Sequence, residues 1–513
     1  MNYKIIGKIL GKIMILEGVL MLAPLVVSFV YNEALANKYA FIIPMILLFS
    51  IGIFLQTLRL DRNAIYQKEG FALTALVWFV MPFFGALPFV INGDIPSFID
   101  AFFEITSGFT TTGASIITDI TAISHSSLFW RSFSHWIGGM GILVFVLIFI
   151  PESDDGSAMH LLRAESPGPQ VGKLVSRMKA TTGILYMIYF GLTIAEIFFL
   201  MLDQPVPGYE GEKIFFGFLT AFGCAGTGGF GFIPESMAYF SPYSQYVISI
   251  FLILFGVNFG LYYLLLLRKF KEVFKSEEFR SYFLIVLVSV ALIFISLVGK
   301  WEAYPQSYTV EESFRHALFQ VASIITTAGF TTTDYHTWPA LATAVLFVLM
   351  FIGGMAGSTA GGMKTSRIVI AVKALYTKVR KLINPRHVAK TKFEGKTLSE
   401  STVNDVFSFI TMYLFILVSV FFLLSFDPVN GTTVTIVSDA GEYTVKHNLF
   451  SSLSSVLACI SNVGPAFEAV GPYSSFAGYT LFSKLLLSFT MILGRLEILP
   501  VLLLFSPKTW KKT

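Results

Sequence analysis

Four short, glycine-centred segments interrupt the long apolar runs of this chain. The most regular segment is FTTTGAS, from Phe109 to Ser115, and three weaker copies follow further along the chain. The copies are GCAGTGGFG (Gly223–Gly231), ITTAGFTT (Ile325–Thr332) and SNVGPAF (Ser461–Phe467), with Gly113, Gly229, Gly329 and Gly464 as equivalent positions. Because each loop belongs to a separate part of the chain, four such loops can converge on one axis and line an ion pore.

The composition of the 513-residue chain is that of an integral membrane protein. Hydrophobic residues make up 55% and charged residues 13%, whereas soluble proteins carry about 25% charged residues. Most of the surface must therefore face lipid. The two cysteines, Cys224 and Cys459, are too few for a disulfide framework, and we expect both to be small buried apolar residues.

Apolar runs of membrane-spanning length set the order of the chain, since a spanning helix takes about 20 mostly apolar residues. Two runs, Ile13–Val30 and Phe41–Leu58, precede four units of similar plan. Each unit has a first span, a short helix, a glycine loop and a second span. The first spans are Phe71–Ile91, Thr182–Leu202, Ser281–Val298 and Val406–Phe426, and the second spans are Leu128–Ile150, Tyr243–Leu267, Ala340–Val372 and Phe476–Phe505.

The short helices of the four units have about 10–14 residues, too few to cross a membrane, and we predict that they are re-entrant half-helices. They are Pro96–Gly108, Glu212–Phe222, Ser313–Ile325 and Asn448–Cys459. Non-helical backbone at membrane depth needs protein or water around it, so the loops that follow these helices indicate a central water-accessible cavity. A packed array of repeats without a pore is the alternative.

The predicted fold is an all-α integral membrane protein with four pseudo-repeats around a central pore, plus two extra N-terminal spans. Each pseudo-repeat is a span, a half-helix, a filter loop and a second span. The predicted boundaries are 1–70 for the N-terminal two-span extension and 71–180, 181–280, 281–400 and 401–513 for pore repeats 1 to 4.

Charged residues predict the orientation of the chain. The segment Lys364–Lys396 contains ten Lys and Arg residues and one acid, Glu394, whereas the loops on the opposite side are mostly acidic. By the positive-inside rule the basic loops lie in the cytoplasm. Ten crossings place both termini there as well, and the acidic outer face would concentrate cations at the mouth.

The chemistry of cation dehydration explains why glycine loops suit a filter. A filter must replace the water around the ion, and rings of backbone carbonyls do this in potassium-selective pores. Glycine lets the backbone turn its carbonyls toward an axis without a Cβ penalty. Threonine and asparagine side chains beside the glycines add polar groups, and each half-helix directs the partial negative charge of its C-terminus at the cavity.

The fourfold plan, the loop cores TTTGAS, GTGGFG, TTAGFTT and SNVGPAF, and the segment LGRLEIL resemble the Trk/Ktr/HKT superfamily of potassium transporters. With two extra N-terminal spans, the chain is most similar to the bacterial TrkH/TrkG branch over nearly its whole length. The resemblance implies a K⁺ filter formed by Thr111, Thr112, Gly113, Thr227, Gly228, Gly229, Thr327, Ala328, Gly329, Asn462, Val463 and Gly464. Some sodium-permeable relatives replace the first glycine by serine, so glycine in all four loops favours potassium.

The second span of the third unit contains the glycine-rich segment FIGGMAGSTAGGMKTS, from Phe351 to Ser366. A helix loses about 1 kcal/mol at each glycine relative to alanine, so this segment is predicted to unwind or bend. By resemblance it is the gating loop, and its glycines are Gly353, Gly354, Gly357, Gly361 and Gly362. Close helix packing through small residues is the alternative. Met363 occupies the lysine position of a phosphate-binding loop, which excludes nucleotide binding there.

Arg495 lies inside the last predicted span, where an arginine costs about 2.5–3.5 kcal/mol on insertion scales. It should therefore face a cavity or a partner. The resemblance makes Arg495 a positive barrier in the permeation path, opposite the gating loop. A structural ion pair with Glu497 or Glu196 is the alternative.

The sequence thus predicts a potassium uptake protein of the bacterial cytoplasmic membrane, with K⁺ as the transported ion and no organic cofactor in this chain. A sodium-permeable or Na⁺/H⁺-coupled cation symporter is the alternative. An intramembrane enzyme would need paired catalytic residues at membrane depth, and a voltage-gated channel would need an arginine ladder. The sequence contains neither pattern.

The resemblance also implies partners. It predicts a homodimer in the lipid bilayer and a cytosolic, nucleotide-binding TrkA-like regulatory subunit, with no nucleic-acid partner. The basic segment Lys364–Lys396 and the loop Pro151–Ala180 are the candidate docking surfaces. For the basic segment, membrane topology or binding of anionic lipid explains the charge equally well.

Overall fold

The structure, a computed structural model, describes residues 1–59, 67–141, 178–298, 308–384, 390–438, 441–504 and 506–510. The first helices are α1 (Tyr3–Leu20), α2 (Leu22–Val30), α3 (Leu35–Gln56), α4 (Gln67–Gly85), α5 (Leu87–Asn92), α6 (Phe98–Phe109) and α7 (His125–Gly139). The next are α8 (Met178–Met201), α9 (Lys213–Gly226), α10 (Pro242–Phe255), α11 (Phe259–Leu266), α12 (Phe270–Lys275), α13 (Glu277–Val298) and α14 (Val310–Ile325). The last are α15 (Ala340–Ile352), α16 (Thr365–Ile383), α17 (Glu400–Leu424), α18 (Leu449–Ser461), α19 (Leu481–Arg495), α20 (Leu499–Leu504) and α21 (Pro507–Trp510).

Six helical stretches among the described residues are long and apolar enough to cross a membrane. They are Tyr3–Val30, Leu35–Gln56, Glu69–Asn92, Thr182–Met201, Glu277–Val298 and Glu400–Leu424. The first two form the N-terminal extension, and the other four are the first spans of the four units. The first stretch begins ten residues before the predicted start at Ile13 because the basic N-terminal residues are helical too. The prediction of a helical membrane protein is therefore confirmed.

Four shorter helices, α6, α9, α14 and α18, occupy the places predicted for the half-helices. Three of them begin at a side-chain cap, which satisfies backbone N–H groups that have no partner inside the helix. Ser97 accepts from the N–H of Asp100, and Thr309 and Asn448 each form a capping box with the residue three positions on. Local sequence therefore defines where these helices start.

Among the described residues the second helix is interrupted in the second, third and fourth units, and the sequence analysis predicted an interruption in the third unit. In the second unit α10 and α11 meet at a bend of 91°, where Asn258 caps α11 by accepting from the N–H of Gly260. In the fourth unit α19 ends at Arg495, and Glu497 and Ile498 have φ of +54° and +70° before α20 begins. The predicted spans Tyr243–Leu267 and Phe476–Phe505 are therefore not continuous helices, because capping and backbone conformation end helices inside apolar runs.

Part of the first unit falls outside the described residues. This applies to the end of the predicted span Leu128–Ile150 and to most of the loop Pro151–Ala180. In the described part, α7 ends at Gly139, and Gly141 has a φ of +79°.

Two β-hairpins, which the sequence analysis did not predict, lie between the helices of the described residues. The short hairpin of β1 (Lys392–Phe393) and β2 (Lys396–Thr397) precedes α17. The longer antiparallel hairpin of β3 (Thr433–Ser438) and β4 (Gly441–Lys446) connects α17 to α18. Both hairpins lie in polar segments outside the apolar runs, so they leave the plan of the helices unchanged.

Candidate functional site

The four half-helices end in the same way, although their sequences differ. One residue shortly after the end of each helix adopts the left-handed conformation. It is the first residue after the helix in the second and fourth units and the second residue after it in the first and third. These residues are Thr111 (φ +56°), Thr227 (+56°), Thr327 (+60°) and Asn462 (+56°). The next backbone N–H then donates to a carbonyl five residues back: Thr112 to Ser107 (2.8 Å), Gly228 to Gly223 (2.9 Å), Ala328 to Ser323 (2.8 Å) and Val463 to Ala458 (2.8 Å). This is the Schellman pattern of helix termination, normally formed by glycine. Threonine there is unusual because a β-branched residue disfavours a positive φ.

The third residue of each loop is glycine, and each of these glycines also has a positive φ. The angles are +79° at Gly113, +57° at Gly229, +87° at Gly329 and +95° at Gly464. Each loop therefore presents the same three-residue turn, and we call residues 111–113, 227–229, 327–329 and 462–464 the four triplets. All twelve predicted filter residues lie in them.

The four triplets form a closed ring. A Cβ placed on the glycine of one triplet would overlap the central carbonyl oxygen of the next. The overlaps are Gly113 with Gly228, Gly229 with Ala328, Gly329 with Val463, and Gly464 with Thr112. The last pair returns to the first triplet, so the triplets follow one another in chain order around the ring. Only residues without a Cβ allow this approach.

Polar side chains of the triplets brace the ring. Asn462 Nδ2 donates to Thr112 Oγ1 (2.9 Å) and so joins the fourth triplet to the first. The same nitrogen donates to the carbonyl of Met491 in α19 (3.0 Å). Thr111 Oγ1 and Asn462 Oδ1 are buried and have no protein hydrogen-bond partner among the described residues. The amide nitrogen of Asn462 therefore supports the ring, whereas Thr111 Oγ1 and Asn462 Oδ1 are oxygens that could accept from water or coordinate a cation.

A buried ion pair supports the first two triplets from behind. Glu104 of α6 and Arg131 of α7 are almost fully buried and lie 2.7 Å apart. The other oxygen of Glu104 accepts from the N–H of Ile116 (2.9 Å), and Arg131 donates to the carbonyl of Gly231 (3.1 Å). The pair thus connects Ile116, shortly after the first triplet, to Gly231, shortly after the second triplet. Sequence reasoning missed it, although acidic and basic residues within apolar runs signal a buried pairing.

Glu104→Gln is expected to lower the stability of the protein strongly, because it leaves the Arg131 guanidinium buried beside a neutral partner. Breaking one side of a buried ion pair typically costs about 3–5 kcal/mol. Thermal unfolding of purified protein in detergent measures the effect. Glu272→Gln is the control, because Glu272 pairs with Lys269 on an exposed surface, where a pair contributes about 0–1 kcal/mol. Equal unfolding temperatures for the two variants would contradict the supporting role of Glu104.

Residues 353–364, between α15 and α16, are not helical, as the sequence analysis predicted. Gly353, Gly357 and Gly362 have φ between +73° and +77°. The other two glycines allow close approach: a Cβ at Gly354 would overlap Ala360, and one at Gly361 would overlap the carbonyl of Ser461. The segment is therefore unwound, and two of its small residues also allow close packing, which is the alternative explanation for the glycines. We call this segment the 353–364 loop.

The 353–364 loop lies directly against the ring. Gly361 donates its N–H to Thr327 Oγ1 (2.6 Å), and Gly362 donates to the carbonyl of Ser461 (2.9 Å). Thr327 belongs to the third triplet, and Ser461 is the residue before the fourth. The loop also reaches the break of the second unit, where Met355 N–H donates to Gly256 (3.0 Å). Through these contacts the loop touches three of the four units.

Arg495, the last residue of α19, connects the remaining unit to this loop. Its guanidinium donates to the carbonyl of Thr359 in the 353–364 loop (2.9 Å) and to those of Gly138 (2.6 Å) and Gly139 (2.8 Å) at the end of α7. Glu497, one of the two acids considered as an alternative partner of Arg495, forms its ion pair with Arg367. Arg495 thus joins units one, three and four at the level of the helix breaks.

A ring of backbone loops enclosed by span-length helices defines a multi-pass membrane protein of the ion-transport class. The chain belongs to the TrkH family: the family model described as a cation transport protein matches residues 37–512. This is a family of transporters rather than enzymes, and the predicted family is confirmed.

Relatives match the chain over its full length. It is 33% identical to the Trk system potassium uptake protein TrkH of Salmonella typhimurium, with 100% of both chains covered. It is 31% identical to the Trk system potassium uptake protein TrkG of Escherichia coli, with 99% of each covered. The crystal structure of the potassium transporter TrkH from Vibrio parahaemolyticus matches with a TM-score of 0.83 and 30% identity over 100% of both chains.

Proposed function

We propose that this protein takes up K⁺ across the bacterial cytoplasmic membrane through the ring of four triplets. The observation that carries the proposal is the closed ring itself, in which four backbone turns of one conformation meet. Relatives of the same length are named as potassium uptake proteins. Inward movement of one cation gains about 2.3 kcal/mol per 100 mV of membrane potential, so uptake needs no nucleotide in this chain.

In this proposal the triplets form the selectivity filter, and K⁺ binds at their residues. Four central carbonyls at the ring supply the oxygens that replace the hydration shell of the ion. The four half-helices end at the ring, so the partial negative charge of each C-terminus favours a cation there. Glycine at position 113, as at the three equivalent positions, favours potassium over sodium.

The 353–364 loop and Arg495 form the gate in this proposal. Contacts with Thr327 and Ser461 hold the loop against the ring, on the side of the helix breaks. Arg495 adds a positive charge beside the loop, and such a charge opposes the passage of cations. Movement of the loop away from the ring would open the path.

Topology and assembly are part of the proposal. Both termini are cytoplasmic, the chain has ten crossings, and the unit boundaries are those predicted from the sequence. Two copies form a homodimer, and a cytosolic nucleotide-binding subunit of the TrkA type regulates it. The exposed basic residues Lys378, Arg380 and Lys381 near the end of α16 support α16 as a cytoplasmic surface.

Ion flux into proteoliposomes that contain this protein alone tests the function. We expect uptake of ⁸⁶Rb⁺, a K⁺ substitute, to exceed uptake of ²²Na⁺ under the same inside-negative potential. Protein-free liposomes give the background. Equal uptake of the two ions, or Na⁺ uptake that depends on a pH gradient, would replace the proposal by the sodium-permeable or coupled symporter.

Thr327→Val is expected to raise ⁸⁶Rb⁺ flux several-fold, because it removes the acceptor for the Gly361 N–H while keeping the side-chain shape. A hydrogen bond contributes about 0.5–1.5 kcal/mol net, and 1.4 kcal/mol corresponds to a factor of about ten. The control is Thr326→Val, since Thr326 Oγ1 donates within its own helix to Ala322 (2.6 Å). Equal flux in both variants would contradict the view that the hydrogen bond between Thr327 and Gly361 holds the loop closed against the filter.

A further inference from the structure

Helix α16 begins immediately after the 353–364 loop without a cap of its own. Its N-cap residue is Lys364, which has a φ of +75° and forms no side-chain capping hydrogen bond. A lysine ammonium group has donors only and cannot accept from backbone N–H groups. The first N–H groups of a helix have no partners inside the helix, so the start of α16 needs an acceptor from elsewhere.

Glu278 supplies this acceptor from the first turn of α13. Its Oε1 accepts from the N–H of Ser366 in the first turn of α16 (3.1 Å). The same oxygen accepts from the N–H of Ala356 inside the 353–364 loop (2.7 Å). Glu278 is 6% exposed, so little water competes for these bonds. One carboxylate oxygen therefore binds two points of the chain ten residues apart, one inside the loop and one in the first turn of α16.

The position of Glu278 is itself fixed. Its backbone N–H donates to Glu394 Oε1 (3.0 Å), and the Ser276 hydroxyl donates to the same oxygen (2.8 Å). Glu394 lies in the turn between β1 and β2, and the neighbouring Phe393 is buried against Ile370 and Ala371 of α16. The hairpin therefore connects the start of α13 to α16, and these contacts fix the backbone from which Glu278 reaches the loop.

We infer that Glu278 is a positioning residue for the gate: it holds the 353–364 loop in the position in which the loop contacts the ring. The inference rests on the gate role given to this loop in the proposed function. A charged acceptor makes stronger hydrogen bonds than a neutral one, and a carboxylate at a helix N-terminus is further stabilised by the helix dipole. Replacement of Glu278 weakens the hold on the interior of the loop and on its junction with α16, where the N–H of Thr365 still donates to the carbonyl of Gly354 (2.9 Å).

Glu278→Gln tests the inference, because it removes the charge and keeps the shape of the side chain. We expect ⁸⁶Rb⁺ flux into proteoliposomes with the variant alone to rise about three- to tenfold, with an unchanged ratio of ⁸⁶Rb⁺ to ²²Na⁺ uptake. The matched control is Glu400→Gln, which alters an exposed acid in the first turn of α17 and should leave flux at the parent value.

Hydrogen exchange supplies a second measurement that does not depend on ion flux. In the full-length variant, peptides that cover residues 353–366 should exchange their amide hydrogens faster than in the parent or in Glu400→Gln. Peptides that cover the four triplets should exchange at the parent rate. Unchanged exchange over residues 353–366 would overturn the inference.

The flux results separate failure of this inference from failure of the proposed gate. If Arg495→Ala and Thr327→Val raise flux and Glu278→Gln leaves it unchanged or lowers it, the gate stands and the role of Glu278 is wrong. A change in ion preference with Glu278→Gln would also overturn the inference, because it would mean that Glu278 acts on the ring. If none of the three variants raises flux, the gate role of the loop fails, and the role of Glu278 fails with it.

Discussion

Gly113→Ser is expected to lower the ratio of ⁸⁶Rb⁺ to ²²Na⁺ uptake at least tenfold, or to stop ⁸⁶Rb⁺ uptake altogether. Gly113 has a φ of +79°, and a Cβ at this position would overlap the carbonyl oxygen of Gly228 in the next triplet. That carbonyl must move, and the four-fold ring of oxygens loses its closed geometry. A forced left-handed residue costs about 1–3 kcal/mol in addition, so the backbone of the first triplet also shifts. Dual-isotope uptake into proteoliposomes measures both ions in one sample.

Gly93→Ser is the matched control for this prediction. Gly93 ends α5 with a φ of +85°, but no atom lies within 4 Å of a Cβ placed there. The control therefore has the same backbone strain without the overlap, and it should keep the ion preference of the parent. Parent-like selectivity of Gly113→Ser would remove Gly113 from the filter and favour the symporter.

Arg495→Ala is expected to raise ⁸⁶Rb⁺ flux more than tenfold in the absence of any cytosolic partner. The substitution removes three hydrogen bonds from a charged donor, to carbonyls of the 353–364 loop and of α7. Hydrogen bonds of a charged group contribute about 1.5–3 kcal/mol each, and 1.4 kcal/mol is a factor of ten. Loss of the positive charge lowers the barrier for cations as well. Initial rates of isotope uptake per reconstituted protein measure the effect.

Two further variants define what Arg495 does. Arg495→Lys keeps the positive charge but loses the planar guanidinium group that donates to several carbonyls at once. If its flux lies between those of the parent and Arg495→Ala, both the charge and the hydrogen bonds of Arg495 contribute to the barrier. Lys484→Met, in the same helix, breaks an ion pair with Asp100 (2.7 Å) at the opposite end of the first half-helix and serves as the control. Flux of Arg495→Ala at or below the parent value would contradict a gate at this arginine.

Several features of the site could be predicted from single segments of the chain. Glycine at positions 113, 229, 329 and 464 predicted a backbone conformation that a Cβ would penalise, and all four have a positive φ. The glycines of Phe351–Ser366 predicted an unwound helix, and the break lies between Ile352 and Thr365. The lengths of the apolar runs predicted which helices are half-helices. Each of these properties depends on the conformational freedom or hydrophobicity of adjacent residues.

Other features required contacts between distant parts of the chain. The left-handed threonines before the triplet glycines oppose the ordinary preference of a β-branched residue, and they persist because each helix end is fixed by the ring. The breaks after α10 and α19 fall in apolar runs of span length, in which no local signal for a break was identified. Glu104, Arg131 and Glu278 have no motif around them, and their partners lie 12 to 100 residues away or on another unit.

The sequence by itself determined the membrane class, the four units and the positions where the backbone must turn, because hydrophobicity and the absence of a Cβ act locally. Only the tertiary structure decided the order of the triplets around the ring, the partner of Glu497 and the attachment of the 353–364 loop. These depend on which groups the four units bring within hydrogen-bond distance. Since equivalent loops lie 100 to 135 residues apart in the chain, no local pattern encodes that proximity, and the way the units pack selects the partners.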